Sequence, residues 1–269
     1  MTISPELLLQ HSDAGTLWPA EDRDASNWPD LEVAYRDALA VRALREKRGE
    51  QPVGFKIGFT NRTIWERYGV FAPIWGTVWN TTLTKADGDA GSLNLGQLAQ
   101  PRLEPEVVFG IRATPPRAPT LEALFDCIEW LAPGFEVVQS HCDHWKFSAP
   151  ETVADSGLHG RLLVGRATPV RKLASDGESL DKMLAACTVR LWHGDQQMDQ
   201  GQGANVLDGP LHALLYFVEE LQQYPGAPEL KPGDVVTTGT WTDAWPVEPG
   251  QQWRADFAAP ISPLTVRFD

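Results

Sequence analysis

Residues 101–111 read PRLEPEVVFGI. Two glutamates flank a proline where an apolar run begins. In an extended chain, residues two apart point to the same face. Glu104 and Glu106 therefore stand side by side, with Val108 next on that face. Pro105 donates no ladder hydrogen bond, which places the segment at a sheet edge or a bulge. Paired carboxylates on a solvent face would be unremarked. Here they enter a core, where like charges repel and lose hydration. A raised pKa or an inserted cation relieves that. A hard divalent ion takes carboxylate oxygens and keeps its other positions for water or substrate.

The surrounding chain supplies more strands. VGFKIGF (53–59) sets Val53, Phe55, Ile57 and Phe59 on one face and Gly54, Lys56 and Gly58 on the other. A lysine between two glycines lies on a bare surface that a ligand can approach closely. Further strands are expected at 134–140, 160–165, 187–193, 196–203, 234–240, 253–258 and 263–268, with a tight hairpin at 193–196. Residues 60–102 read as irregular. Helices are expected over the first fifty residues, with Asn27 as a cap, over 120–131 behind Thr120, and over 209–224 behind Asp208. Strands outnumber helices and do not alternate with them regularly. The pattern is α+β, with a mixed β-roll or barrel-like core over 51–269 and an N-terminal helical segment over 1–50, the two together expected to form one structural domain.

Composition narrows the functions. The 269 residues carry a net charge of −13. Such a surface repels nucleic-acid phosphates and anionic lipid, so neither is an expected partner. A small anionic substrate remains compatible, because a local cation reverses the field within a cavity. No stretch has the length and apolarity of a membrane span, and the start has no signal-peptide pattern. Three scattered cysteines, Cys127, Cys142 and Cys187, suit free thiols in a reducing cytoplasm. The expected location is cytoplasmic.

Other residues stand out singly. Glu136, in PGFEVV, is a third carboxylate between apolar neighbours. If its strand lies beside the first, three glutamates form an oxygen site. Asp155 in TVADSG caps a turn or acts chemically. Arg161 is a strand-start charge or a substrate ligand. The six histidines show no HExxH pattern, and no glycine loop follows the strand–GxGxxG–helix order. Eleven tryptophans are many for this length. They pack a core or wall a flat conjugated substrate, with Trp75 the candidate contact. A sugar platform is a more distant alternative.

The ordered set GFKIGFT, APIWGT, PRLEPEVVF, GFEVV, TVADSG, QGQGANVLDGPLHALLYFVEEL and LKPGDVVTTGT resembles the hydratase/decarboxylase branch of the fumarylacetoacetate hydrolase superfamily. The resemblance runs from about residue 30 to the end. It implies a lyase with Mg²⁺ or Mn²⁺ held by Glu104, Glu106 and Glu136. It implies Lys56 and Asp155 as catalytic residues and Thr240 as a substrate contact. It also implies a homo-oligomer, with a companion hydratase or decarboxylase subunit as a further partner. Pro73-Ile74-Trp75-Gly76 stands where hydratases carry an aspartate, and EPEVVF and WTDA lean towards decarboxylases. Arg161 would then orient a second substrate carboxylate. Hydration, acylpyruvate-type C–C hydrolysis and a non-catalytic companion role are the alternatives.

Overall fold

The computed structural model describes residues 3–20, 23 and 27–269. Residues 1–2, 21–22 and 24–26 of the expected helical segment lie outside the described residues. Two N-terminal helices are present, α1 (Pro5–Ala14) and α2 (Leu31–Lys47). The cap of α2 is Asp30, not Asn27: its carboxylate accepts from Val33 N at 2.9 Å. Tyr35 on α2 stacks on Trp75 with ring centroids 4.5 Å apart. One buried apolar cluster runs from Ile3 through Tyr35 to Phe268, so the helices and sheets share a core.

The large sheet contains β1 (Pro52–Gly58), β2 (Ile74–Trp79), β3 (Leu83–Lys85), β5 (Arg102–Ile111), β6 (Ile128–Val138), β7 (His159–Val164) and β11 (Val235–Thr237). Their order is β2-β1-β11-β5-β6-β7-β3, with β8 (Thr168–Pro169) added to β6 and β12 (Trp245–Pro246) to β5. The β1–β11 and β3–β7 pairs are parallel, the others antiparallel. A second sheet has the order β10-β9-β13-β14-β4. It is built from β4 (Ala90–Leu93), β9 (Thr188–His193), β10 (Gln196–Gln202), β13 (Gln252–Phe257) and β14 (Leu264–Phe268). This is the mixed α+β architecture expected from the sequence.

Several local expectations are corrected. The helix after Thr120, α4 (Leu121–Cys127), stops at Cys127 rather than at 131. Ile128 is already extended, and Ile128 to Leu131 pair with β5. Pro133 follows closely and disfavours a helix before it. Asp208 does not cap α7 (Pro210–Gln223). The N-cap is Gly209, while the Asp208 carboxylate pairs with Arg62 at 2.5 Å. The stretch expected to be irregular contains β2, β3 and β4. In β2 all six residues are buried, so no two-residue alternation marks it.

Three short helices also went unexpected, α3 (Trp65–Tyr68), α5 (Ala149–Ala154) and α6 (Gly177–Ala186). The latter two each open with a reciprocal capping box, Ser148 with Glu151 and Asp176 with Ser179, a signal present in the sequence. Pro105 is not at an edge. It lies inside β5, paired with Phe135 on one side. Its carbonyl faces the other way and accepts from Trp241 N at 3.2 Å. Its missing N–H faces that same side, between the stretches of β5 that pair with β11 and β12.

Candidate functional site

Strand register assembles the acidic cluster. Glu104 on β5 lies directly opposite Glu136 on β6, and Glu106 is opposite Gly134. Opposed residues of an antiparallel pair share a face, as do residues two apart. All three glutamates therefore project from one side of the sheet. One carboxylate oxygen from each lies within 4.8 Å of the other two. Glu106 and Glu136 are fully buried. Glu104 lines a cavity of about 330 Å³.

Lys56 reaches the same point from β1. It is 3% exposed, and its Nζ lies 3.3 Å from Glu136 Oε2. Gly157, at φ 67°, makes room for its stem: a Cβ there would come within 3.1 Å of Lys56 Cδ. Gly239 serves Glu106. Its N–H donates to Glu106 Oε2 at 2.7 Å, from a turn with φ 94°. A Cβ at Gly239 would meet Thr60 Oγ1 at 2.0 Å, so the turn requires glycine.

His159 completes the cluster. Its Nδ1 is 2.8 Å from Glu136 Oε1, and its Nε2 is 2.8 Å from Thr82 Oγ1. Sequence reading placed the start of β7 one residue late and so missed this histidine. Its position just before an apolar strand was the available signal.

Electrostatics divides the three acids. Burial, reinforced by Glu136 and opposed by Lys56 and Arg102, pushes Glu104 up to about 7. Burial and the two neighbouring acids push Glu106 well above the usual carboxylate range. Burial also acts upward on Glu136, but Lys56 and the His159 hydrogen bond outweigh it and hold its pKa down. Lys56 is pulled down by burial, yet the three carboxylates win and raise it. Burial lowers His159 despite its Glu136 partner, which favours the neutral ring. Glu106 Oε1 is buried with no partner, and Glu136 Oε2 faces only the Lys56 ammonium. Three hard oxygen donors sharing one ammonium, with one buried oxygen unpartnered, fit a divalent cation.

The other expected site residues are dispersed. Thr240 lines the cavity, but its hydroxyl is engaged in a turn, donating to Thr242 O at 3.0 Å. Asp155 is buried and does not line the cavity. Its Oδ2 accepts from His141 N at 2.9 Å, and its Oδ1 is 2.6 Å from His141 Nδ1. Arg161 is opposite Val137 in the register and so projects from the face away from the glutamates. Its guanidinium donates to Gly160 O at 3.0 Å. Trp75 is opposite Ile57, on the face away from Lys56, and packs against Tyr35 and Phe55. Ile74, opposite Gly58, does face the cavity.

Rings that the sequence did not single out take Trp75's place. Phe59, Tyr68, Phe147 and Trp145 line the cavity. They form a continuous series, with successive centroids 5.1, 5.8 and 6.0 Å apart. Among the described residues no histidine lines the cavity, so the water-activating His/Glu pair of a C–C hydrolase is not found there.

No protein-family model matches the chain. A 2-hydroxyhexa-2,4-dienoate hydratase of Comamonas testosteroni is 32% identical over 244 residues, 89% of this chain and 86% of the relative. A 4-oxalocrotonate decarboxylase of a Pseudomonas species is 28% identical over 230 residues, 83% of each chain. The fold matches that of 4-oxalocrotonate decarboxylase from Pseudomonas putida G7, solved with magnesium and adipate. That match has a TM-score of 0.86 at 22% identity and covers 98% of this chain and 95% of the other. The chain belongs to the hydratase/decarboxylase branch of the fumarylacetoacetate hydrolase superfamily. Among the described residues no helix is long and apolar enough to cross a membrane.

Proposed function

We propose that this chain is a divalent-cation-dependent lyase for small unsaturated 2-oxo or 2-hydroxy carboxylic acids. Glu104, Glu106 and Glu136 are the cation's ligands, and Mg²⁺ or Mn²⁺ is the ion. One observation carries the reading: three buried or half-buried glutamates converge beside a cavity with a single ammonium among them, and Glu106 Oε1 has no partner at all. Relatives named for hydration and for decarboxylation of such acids support it. When bound, the ion supplies a Lewis acid for a 2-oxo oxygen and offsets the repulsion among the acids.

The chain's own residues do the rest. Lys56 holds a fixed positive charge beside the acids, where negative charge on the substrate's C2 oxygen is stabilised in a site with little water. His159, held by Thr82, fixes the Glu136 carboxylate. Asp155 fixes the segment that carries Gly157, and with it the packing around Lys56. The aromatic series and Ile74 exclude water from the substrate's conjugated part. Hydration and decarboxylation share this half of the chemistry and differ in what the far end of the substrate carries.

Two assays test the reading. With Mg²⁺, the protein is given 2-oxohex-3-enedioate and 2-hydroxypenta-2,4-dienoate separately. Mass spectrometry then follows loss of CO₂ or gain of water. Cation-dependent turnover of either is expected, and none of either, alone or with a partner hydratase, rejects it. We propose a homo-oligomer as well, for which Phe71, 81% exposed, is a ring that a second copy would cover. A monomer by sedimentation at micromolar concentration rejects that assembly.

A further inference from the structure

Charge is distributed unevenly around the cavity. Lys56 is the one cation among the described residues lining it, and its ammonium already faces Glu136. The remaining charged lining residues are acids: Glu104, Asp199 and Asp243. Asp199 is an acceptor that already holds three donors, Gln200 N, Asp243 N and Trp245 Nε1, at 2.7, 3.1 and 3.0 Å. Three arginines border the cavity without lining it. Arg102, two residues before Glu104 and so on the same face of β5, lies over Trp145 at 4.3 Å and Arg67 lies over Tyr68 at 5.6 Å, while Arg62, between the lining residues Asn61 and Ile64, is paired with Asp208. Arg161, the residue expected to grip a second carboxylate, projects from the opposite face of the sheet.

A substrate anchored at the glutamate cluster must place its other end against this wall. A second carboxylate there would lose its hydration, meet two aspartates and find only neutral donors such as the Tyr68 hydroxyl. Neutral donors do not offset the burial of a full charge. A flat apolar group would instead lie along Phe59, Tyr68, Phe147 and Trp145. Edge or offset contacts with rings add to the gain from burial.

Resting on the site reading above, we infer that the cavity selects monocarboxylates whose far end is apolar and flat, up to an aryl group, and rejects a far carboxylate. Phe147 and Tyr68, at the centre of the ring series, are the specificity-determining residues. The reaction that consumes this substrate is then water addition, because no distal carboxylate is present to leave as CO₂.

Unreactive saturated 2-oxo acids test the selection by binding alone. The protein is first titrated calorimetrically with Mg²⁺, which reports on the glutamate cluster by itself. With Mg²⁺ saturating, it is then titrated with 2-oxobutanoate, 2-oxoadipate and 2-oxo-4-phenylbutanoate. The phenyl acid is expected to bind at least tenfold more tightly than 2-oxoadipate. Phe147→Arg is expected to shift that ratio at least tenfold towards 2-oxoadipate. Phe147→Leu, a milder change should the arginine variant fail to fold, is expected to lower the ratio about threefold. If 2-oxobutanoate binds but 2-oxoadipate binds as tightly as the phenyl acid or more so, the selectivity is overturned and the lyase reading stands. If Mg²⁺ itself does not bind, both fall.

Discussion

Buried acids in this chain are treated in two ways. Asp155 has both oxygens occupied by one histidine, through His141 N and Nδ1. What remains unpartnered in that pair is His141 Nε2, on a ring stacked against Trp18 with centroids 6.1 Å apart. The glutamates at 104, 106 and 136 have one lysine among them, set against Glu136 Oε2, and a buried Glu106 oxygen with no partner. A satisfied buried carboxylate holds structure together. An unsatisfied set stores an interaction for something not built from the chain.

The sharpest break in that comparison is Glu106→Gln. The amide keeps the shape and can still accept from Gly239 N, but it removes a charge that a cation needs. Mg²⁺ affinity by calorimetry should fall by more than about 100-fold, beyond the ~10–100-fold typical of a group that merely supports a ligand. Turnover should fall with it. Urea unfolding of the cation-free protein should show no loss of stability, since burial already disfavours the charged form of Glu106. Full metal affinity in this variant would remove the assignment of the cluster as a cation site.

Asp155→Ala should do the reverse. It strips a buried histidine of its acceptor and costs about 2–4 kcal/mol of stability. Mg²⁺ affinity per folded molecule should change little. A variant as stable as the parent, or one that loses Mg²⁺ as Glu106→Gln does, would erase the distinction between the two groups. His159→Ala should fall between them, since its ring only orients Glu136: a loss of roughly 10–100-fold in Mg²⁺ affinity. His159→Gln, which can still donate to Glu136, should recover part of that loss. An unchanged affinity in both variants would show that Glu136 needs no support.

Strand period made part of this site legible in the sequence. Glu104 and Glu106 share a face because a strand repeats every two residues, and Lys56 stood out between two glycines by the same rule. Glu136 could be suspected but not placed, because the register between β5 and β6 is a long-range property. The resemblance to a known family linked these residues before any register was visible. Arg161 and Trp75 were misplaced for the same reason, since one residue of register decides which face each occupies. The large sheet was only partly legible. β2 is buried throughout and reads as irregular, and Ile128 to Leu131 continue a helical pattern that the open side of β5 overrides by pairing. The aromatic series is contributed by Phe59, Tyr68, Phe147 and Trp145, which only tertiary folding gathers. No local spacing announces it.

The smallest expected effect is a pH dependence that separates the two groups without any mutation. The folded pKa of Glu104, about 7, stands above its ordinary 4.5. A group raised by folding adds stability that is complete below the ordinary value and is lost as pH rises through the folded value. This is opposite to the usual salt-bridged acid. The cation-free protein should therefore lose stability between about pH 4.5 and 7. Because Glu104 opens to the cavity, water screens part of the effect. About 1 kcal/mol remains, or roughly 2–4 °C in melting temperature for a chain of this size. Saturating Mg²⁺ should flatten or invert the slope, since the ion competes with the protons and binds more tightly as pH rises. Glu104→Gln should lessen the slope without the ion, and the remainder belongs to Glu106, which burial and its acidic neighbours also raise. A cation-free melting temperature that rises over this window to the same extent in the parent and in Glu104→Gln would show that the cluster is not protonated when empty. The unpartnered Glu106 oxygen would then need another explanation than a waiting cation.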